Sequence, residues 1–413
     1  MGALYGPVSL IWIVIGSIFI GAVHDFVIGI VSIRNKGGTL PLLAEIYMGR
    51  FFKHIVNSFS ALLLILVATI FVVGPANLIK DLLGIEDIKI ILLFLFTYYL
   101  LSTLLPIDKI IGRIYPVFAV LLIISALALI IAVLFFSKLP LPELSLKNIH
   151  PEGMPIYPLL FLILSCGAIS GFHATQIPIV ARTLQVQSHA RPVFFGMMII
   201  EGLIALIWAY ATIVLLDNQT LYSLIKEGTP SLVVNKVVVS ALGVWMGTIA
   251  ILGVIILPIT SGDTAFRGLR IMLAEYLKIN QKPMLNRIAI ALPCFVISFI
   301  LCFVDFQHLG QYFSWANQTI ACISLWISTI FLLKLGKPIF YTFYPALFMT
   351  SVSLIYILYS PIGLGLPLYM AKILGIAICG AIFIIMLIYR KKFLQATSKS
   401  SSIKYIKSEE TSL

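Results

Sequence analysis

Residues 157–179 read YPLLFLILSCGAISGFHATQIPI, a segment apolar and long enough to cross a bilayer. It carries Gly167, Gly171 and Pro178 where a continuous helix would need strong helix formers. The segment therefore predicts a membrane helix broken near its middle. A broken helix presents backbone N–H and C=O groups at membrane depth, where they can receive a solute without a dedicated charged side chain. Ser170, Gly171 and His173 are candidate substrate contacts on this reading, and a Gly-rich kink that serves only packing is the alternative.

The rest of the chain sets this segment in a membrane protein. Of 413 residues, 61% are hydrophobic and only 11% are charged, too few polar groups to cover a water-soluble body of that size. Apolar runs recur at 7–31, 55–73, 88–105, 115–136, 157–179, 193–215, 232–259, 288–304, 313–333, 340–358 and 366–389. Unpaired backbone amides are costly in hydrocarbon, so runs of this length must be helices. The predicted fold is all-α, a polytopic membrane helix bundle of about 11 transmembrane helices across residues 1–392, with a disordered tail at 393–413. The run that begins at residue 7 is too long for a cleaved leader and has no basic region before it.

The net charge of +12 sits in short clusters between the runs, without a basic helix or aromatic platform, which speaks against a nucleic-acid partner. If the loops after odd-numbered runs share one side, that side holds 21 of the 28 Lys and Arg residues; the other seven are Lys80, Lys89, Lys138, Lys147, Lys226, Lys236 and Lys372. The positive-inside rule then puts the N-terminus outside and the C-terminus in the cytoplasm. The five cysteines fall in or beside apolar runs with no CxxC pair, so neither a metal site nor a disulfide set is expected.

Ionisable and amide groups within the runs are the remaining site candidates, because burying them in lipid is costly. His24 and Asp25 follow small residues Gly16 and Gly21 in the first run; they either carry a proton or pair with Arg34 near the surface. Glu201 has no basic neighbour in its own helix and needs a partner from another one. Thr260, Ser261, Asp263 and Thr264 follow Pro258 at the end of the seventh run, with Arg267 one helical turn beyond Asp263. They form either a coupling-ion site or a cap and latch. Asn317 and Gln318, near the outer end of the ninth run, either touch ligand or bridge helices. No HExxH, nucleophile elbow or phosphate loop is present, so no enzyme and no cofactor is expected.

Taken together, GAVHDF at 21–26 with SIRNKGG at 32–38, LPIDKIIGRIYP at 105–116, SGFHATQ at 170–176, TSGDTAFR at 260–267 and WANQ at 315–318 resemble the carbon starvation CstA family of bacterial membrane transporters. The resemblance implies an inverted-repeat transporter fold similar to the amino acid, polyamine and organocation superfamily. It also implies proton-coupled symport of peptides or pyruvate across the inner (cell) membrane when carbon is scarce. Family members usually have two further helices before the region matching Gly6-Pro7, so the chain departs from the pattern at its start. That departure leaves a membrane sensor or assembly subunit, without transport of its own, as the alternative function.

Overall fold

A computed structural model describes residues 2–85, 87–104, 108–136, 143, 145–227 and 230–410, and of residues 108–115, 118, 136, 165, 227, 231 and 391–410 the backbone alone. The helices, in order, are α1 (Val8–Arg34), α2 (Leu40–Met48), α3 (Arg50–Leu83), α4 (Ile88–Leu104), α5 (Asp108–Ile131), α6 (Phe161–Ile163), α7 (Ser165–Ala168), α8 (Gly171–Thr183), α9 (Met197–Leu215), α10 (Asn218–Glu227), α11 (Pro230–Leu277), α12 (Met284–Leu301), α13 (Phe306–Lys334), α14 (Phe340–Tyr359) and α15 (Leu368–Glu410). No strand occurs among the described residues. Eight helices among them are long and apolar enough to cross a membrane. Two shorter apolar helices, Ile88–Leu104 and Ala119–Phe135, and the interrupted segment α6–α8 fall where the remaining spans are expected. The polytopic all-α bundle predicted from the apolar runs is the fold observed.

Packing separates a shared interior from lipid-facing helices. The largest core cluster joins α1, α3, α8, α11 and α13 through residues such as Ile28, Val67, Ala174, Phe266 and Ile320, all buried. By contrast α12 and α15 leave most of their apolar side chains exposed, among them Leu285, Ile300, Ile376 and Ile385. Small residues permit the closest approaches in this interior. A Cβ on Gly21 of α1 would stand 2.2 Å from the carbonyl oxygen of Ala168, and one on Gly202 of α9 would stand 2.5 Å from the Ser17 Cβ.

Two features depart from the expected spans. The seventh run does not end near residue 259: α11 continues through the Thr260–Arg267 stretch to Leu277, because Pro258 removes one donor without breaking the helix. That helix is interrupted earlier, at Gly243, whose φ of 73° and ψ of 177° suit only glycine. Trp245, just after the break, is 89% exposed. The first three residues of LPIDKIIGRIYP, 105–107, and residues 411–413 of the tail lie outside the described residues, as do the side chains of 108–115 and 391–410.

α10 is tied to the loop before α6. Glu152 accepts hydrogen bonds from Tyr222 and pairs with Lys226 at 3.3 Å. The Tyr222 hydroxyl, helped by the Lys226 ammonium and opposed by slight desolvation, lowers the Glu152 pKa from its ordinary 4.5. A carboxyl lowered by folding stabilises the folded contact at pH values above 4.5, and that contribution is lost as pH falls through the depressed value. Protection of the α10 amides, taken as the intrinsic exchange rate at each pH over the observed rate, is therefore expected to hold above pH 4.5 and to fall below it, with Glu152→Gln weakly protected throughout. An equal fall in protection in both proteins would show that the pair does not hold α10.

Candidate functional site

The broken segment is built as the sequence demands. Leu164 departs from helical geometry at φ −79° and ψ 47°, and Ser170 is extended at φ −129° and ψ 122°. Between them α7 makes a single turn, after which α8 starts at Gly171 and runs through Pro178. Asn317 of α13 fills the break: its Oδ1 accepts from the Phe172 backbone N–H at 2.7 Å and from the Ser170 hydroxyl at 3.4 Å. An amide side chain thus satisfies a donor that the missing helical turn leaves open. Gln318 donates to the Phe161 carbonyl at 3.2 Å, just before the break. Both amides are fully buried, so they lie deep in the bundle and not at its outer surface. Asn317 Nδ2 and Gln318 Oε1 find no hydrogen-bond partner among the described residues.

One turn into α8, His173 meets the first helix. Its Nδ1 lies 2.8 Å from Asp25 Oδ2, and its Nε2 lies 3.0 Å from Glu201 Oε2 on α9. The other Asp25 oxygen, Oδ1, lies 2.7 Å from His24 Nδ1, and His24 Nε2 lies 2.5 Å from the Ser324 hydroxyl of α13. Five residues on four helices therefore form one hydrogen-bonded chain, Ser324–His24–Asp25–His173–Glu201. The chain is graded in exposure. Ser324 and His24 are sealed and Asp25 is nearly so, whereas the His173 side chain is 21% exposed and that of Glu201 is 41% exposed.

The exposed end opens into a cleft of about 280 Å³ between α1, α8 and α9, whose walls include Gln176, Phe194, Met197 and Met198. A π-helical stretch, Gly16–Gly21, precedes His24 and Asp25 in α1 and shifts the helical register where it meets α7. Asp25 does not pair with Arg34, whose guanidinium lies over the Phe331 ring at 5.6 Å. The partner that Glu201 requires is His173, which the sequence placed on a different span.

Asp263 belongs to a second cluster, on α11 against α4. It accepts from the Ser102 hydroxyl at 2.5 Å and pairs with Arg267 at 3.5 Å, the spacing of one helical turn. Arg267 also donates to the Ser102 carbonyl at 3.3 Å. Asp263 is 2% exposed, and the Thr260 and Thr264 hydroxyls donate to the carbonyls of Leu257 and Ser261 in their own helix. Ser261 lies beside them, half-buried. No bond links this group to the Asp25 chain among those described.

Sequence reasoning picked out His24, Asp25, His173 and Glu201 one by one, and missed Ser324 and Ser102. A signal for Ser324 does exist: it lies seven residues after Asn317, two helical turns on, and so shares its face. Among the described residues no group of His, Cys, Asp and Glu is arranged to hold a metal ion. Three of the four ring nitrogens of the chain are engaged with carboxylate oxygens and the fourth with the Ser324 hydroxyl.

Comparisons with known proteins agree with this architecture. Over 281 residues the chain is 38% identical to a Haemophilus influenzae protein described as an uncharacterized membrane protein, a match covering 55% of this chain and 76% of that one. It is 25% identical over 280 residues to the peptide transporter CstA of Helicobacter pylori and 23% identical over 281 residues to that of Campylobacter jejuni. In each case the match covers 50% of this chain and 40% of the relative. In three dimensions the chain is similar to a histidine-to-alanine variant of the Eremococcus coleocola manganese transporter, with a TM-score of 0.57 at 14% identity over 95% of this chain and 90% of that one. The same transporter in complex with an aromatic bis-isothiourea compound matches with a TM-score of 0.57 at 13% identity, over 95% of this chain and 91% of that one. At this identity the likeness establishes a shared fold, that of a multi-pass membrane transporter. The model of the carbon starvation protein CstA family matches residues 1–84 and 75–239, more than half of the sequence, and the chain belongs to that family.

Proposed function

We propose that the chain is a secondary active transporter that imports a small nutrient, a peptide or pyruvate, in symport with a proton. The observation that supports this reading above others is the carboxylate–imidazole chain that runs from the sealed Ser324–His24 end to Glu201 in the cleft. Ionisable groups are retained at membrane depth where they move protons or ions, and an unbroken series of hydrogen bonds is the structural requirement for a proton relay. The cleft volume of about 280 Å³ lies at the small end of ligand pockets and suits a compact solute. Ser170, Gly171, His173, Asn317 and Gln318 are the proposed substrate contacts, supported by the helix break and by two buried amide atoms, Asn317 Nδ2 and Gln318 Oε1, that have no hydrogen-bond partner among the described residues.

The names of the Helicobacter and Campylobacter relatives favour a peptide, and pyruvate remains the competing substrate. With the N-terminus outside and the C-terminus in the cytoplasm of a bacterial inner membrane, the cleft faces the cytoplasmic half. The Thr260, Ser261, Asp263 and Thr264 group is the second candidate for coupling, supported by its buried carboxylate. Import under carbon scarcity is the physiological role that fits the family. Nothing in either cluster suggests bond-breaking chemistry, and a sensor or assembly subunit is the competing class.

The test is uptake into proteoliposomes by the full chain, with labelled dialanine and labelled pyruvate offered separately and then in competition. For one proton per substrate, each unit of imposed pH difference is expected to drive about tenfold accumulation. Uptake that ignores the pH gradient would overturn proton coupling. Failure to take up either solute would favour the sensor or assembly reading.

A further inference from the structure

Resting on the proton-coupled reading, the inference concerns Ser324, which no motif singles out and which touches neither the cleft nor the helix break. Its hydroxyl has two partners: His24 Nε2 at 2.5 Å and the carbonyl oxygen of Ala321, one turn back in α13, at 2.8 Å. A serine hydroxyl has one proton to donate and lone pairs to accept with, so it can satisfy only one of these partners as donor at a time. The Ala321 oxygen can only accept. The His24 nitrogen can do either.

Counting protons along the chain gives the consequence. There are four links: Ser324 to His24, His24 to Asp25, Asp25 to His173 and His173 to Glu201. Each link needs one proton between its two atoms. When the Ser324 hydroxyl points at His24, it supplies the first proton itself, and the ionisable groups supply the other three. Two imidazoles and two carboxylates sharing three protons carry a net charge of −1, wherever within each link the proton sits. When the hydroxyl turns to Ala321, His24 must supply the first proton from Nε2. The ionisable groups then hold four protons and the chain is neutral, with every link still made.

We propose that Ser324 is the positioning residue that gives this site a capacity of one proton: rotation of its hydroxyl lets His24 gain or lose a proton with all four links of the chain still made. In a sealed, apolar position an unpaired N–H on a charged ring is costly, so removing the rotor should make the doubly protonated ring inaccessible. The groups that face His24 from neighbouring helices leave few competitors. The His24 ring bonds Asp25 of its own helix and Ser324 of α13, His173 of α8 and Glu201 of α9 connect to it through Asp25, and the 191–196 stretch beside α1 carries the exposed Arg191. α13 carries no acidic or basic residue between His308 and Lys334, α14 carries none at all, and Glu45 of α2 is paired with Lys53. α7 contributes no charge.

The experiment reads the ring directly. The chain contains six histidines, few enough for nitrogen-15 histidine spectra of the bilayer-reconstituted protein to be assigned by single substitutions. In the wild type, His24 is expected to pass from a neutral ring with its proton on Nδ1 at high pH to a doubly protonated ring at low pH. In Ser324→Ala the doubly protonated signal of His24 should vanish over the same range, and Ser324→Thr, which keeps the hydroxyl, should restore it. Uptake driven by a pH gradient should fall about tenfold or more in Ser324→Ala, with a flattened pH profile, and recover in Ser324→Thr. If Ser324→Ala does not fold, Ser324→Cys, with a weak donor of similar size, should show an intermediate His24 titration. A His24 titration identical in the wild type and the folded Ala or Cys variant would overturn the assignment. Gradient-independent uptake by the wild type would instead overturn the transport reading, and the spectra would still decide the role of Ser324.

Discussion

Asp25→Asn is expected to abolish gradient-driven uptake, by about a hundredfold or more, in a protein that still folds and inserts. Asp25 is the point at which the two halves of the chain meet, since its oxygens lie 2.7 Å from His24 and 2.8 Å from His173. A carboxylate accepts from both rings. An asparagine of the same shape accepts from one and turns an N–H₂ toward the other, which must then present a bare nitrogen. That ring is then confined to the tautomer with its proton on the far nitrogen, toward Ser324 or Glu201, and it can no longer become doubly protonated, so the relay is interrupted at this link. The substitution also removes the negative charge that the two imidazoles surround.

Proteoliposome uptake under an imposed pH gradient measures the effect, and circular dichroism with a thermal midpoint confirms the fold. Uptake within about threefold of the wild type would show that the chain carries no coupling proton.

The second large effect is on folding. Gly171→Ala is expected to destabilise the protein by about 3 kcal/mol, and bulkier residues should prevent accumulation of folded protein. A Cβ there would stand 2.0 Å from the Asn317 carbonyl oxygen, 2.7 Å from the Ala321 nitrogen and 2.9 Å from the Ile320 Cβ. The first two are backbone atoms of α13 and have no rotamer by which to retreat. Separating α8 from α13 would also pull the Phe172 N–H away from Asn317, which accepts from it at 2.7 Å. Gly380 of α15, with nothing within 4 Å of its would-be Cβ, is the control, and Gly380→Ala should change stability by no more than about 0.5 kcal/mol. Thermal denaturation of the detergent-solubilised proteins compares them. Equal midpoints for the two variants would mean that the helices at the break are looser than described.

These two positions show how far a single chain of letters can be read. Gly171 was legible because two glycines and a downstream proline in an apolar run oppose an unbroken helix, whatever surrounds them. Asp25 and Glu201 were legible because a carboxylate in lipid must have a reason. What each was for could not be read. Asp25 had Arg34 as a plausible neighbour in sequence, and only the packing of α1 against α8 puts His173, 148 positions away, at its second oxygen. Asp263 offered the opposite lesson. Its spacing to Arg267 announced an ion pair, but its hydrogen bond from Ser102, 161 positions away, depends on how α11 lies against α4.

The amino-acid sequence by itself determined that this protein lives in a bilayer, that its spans are helices, roughly where those spans lie, and that one of them breaks near its middle, around Gly167 and Gly171. Each of these follows from local quantities: the cost of unpaired amides in hydrocarbon, the length of apolar runs and the backbone preferences of glycine and proline. Only the tertiary structure decided that four separately suspicious side chains and one unremarked serine form a single hydrogen-bonded chain. Hydrogen bonds form over about 3 Å, and no periodicity within a span specifies which face of a distant helix will arrive at that distance. The relative rotation of α1, α8, α9 and α13 is set by small residues at their crossings, such as Gly21 against Ala168 and Gly202 against Ser17, and that rotation turns isolated polar residues into a site.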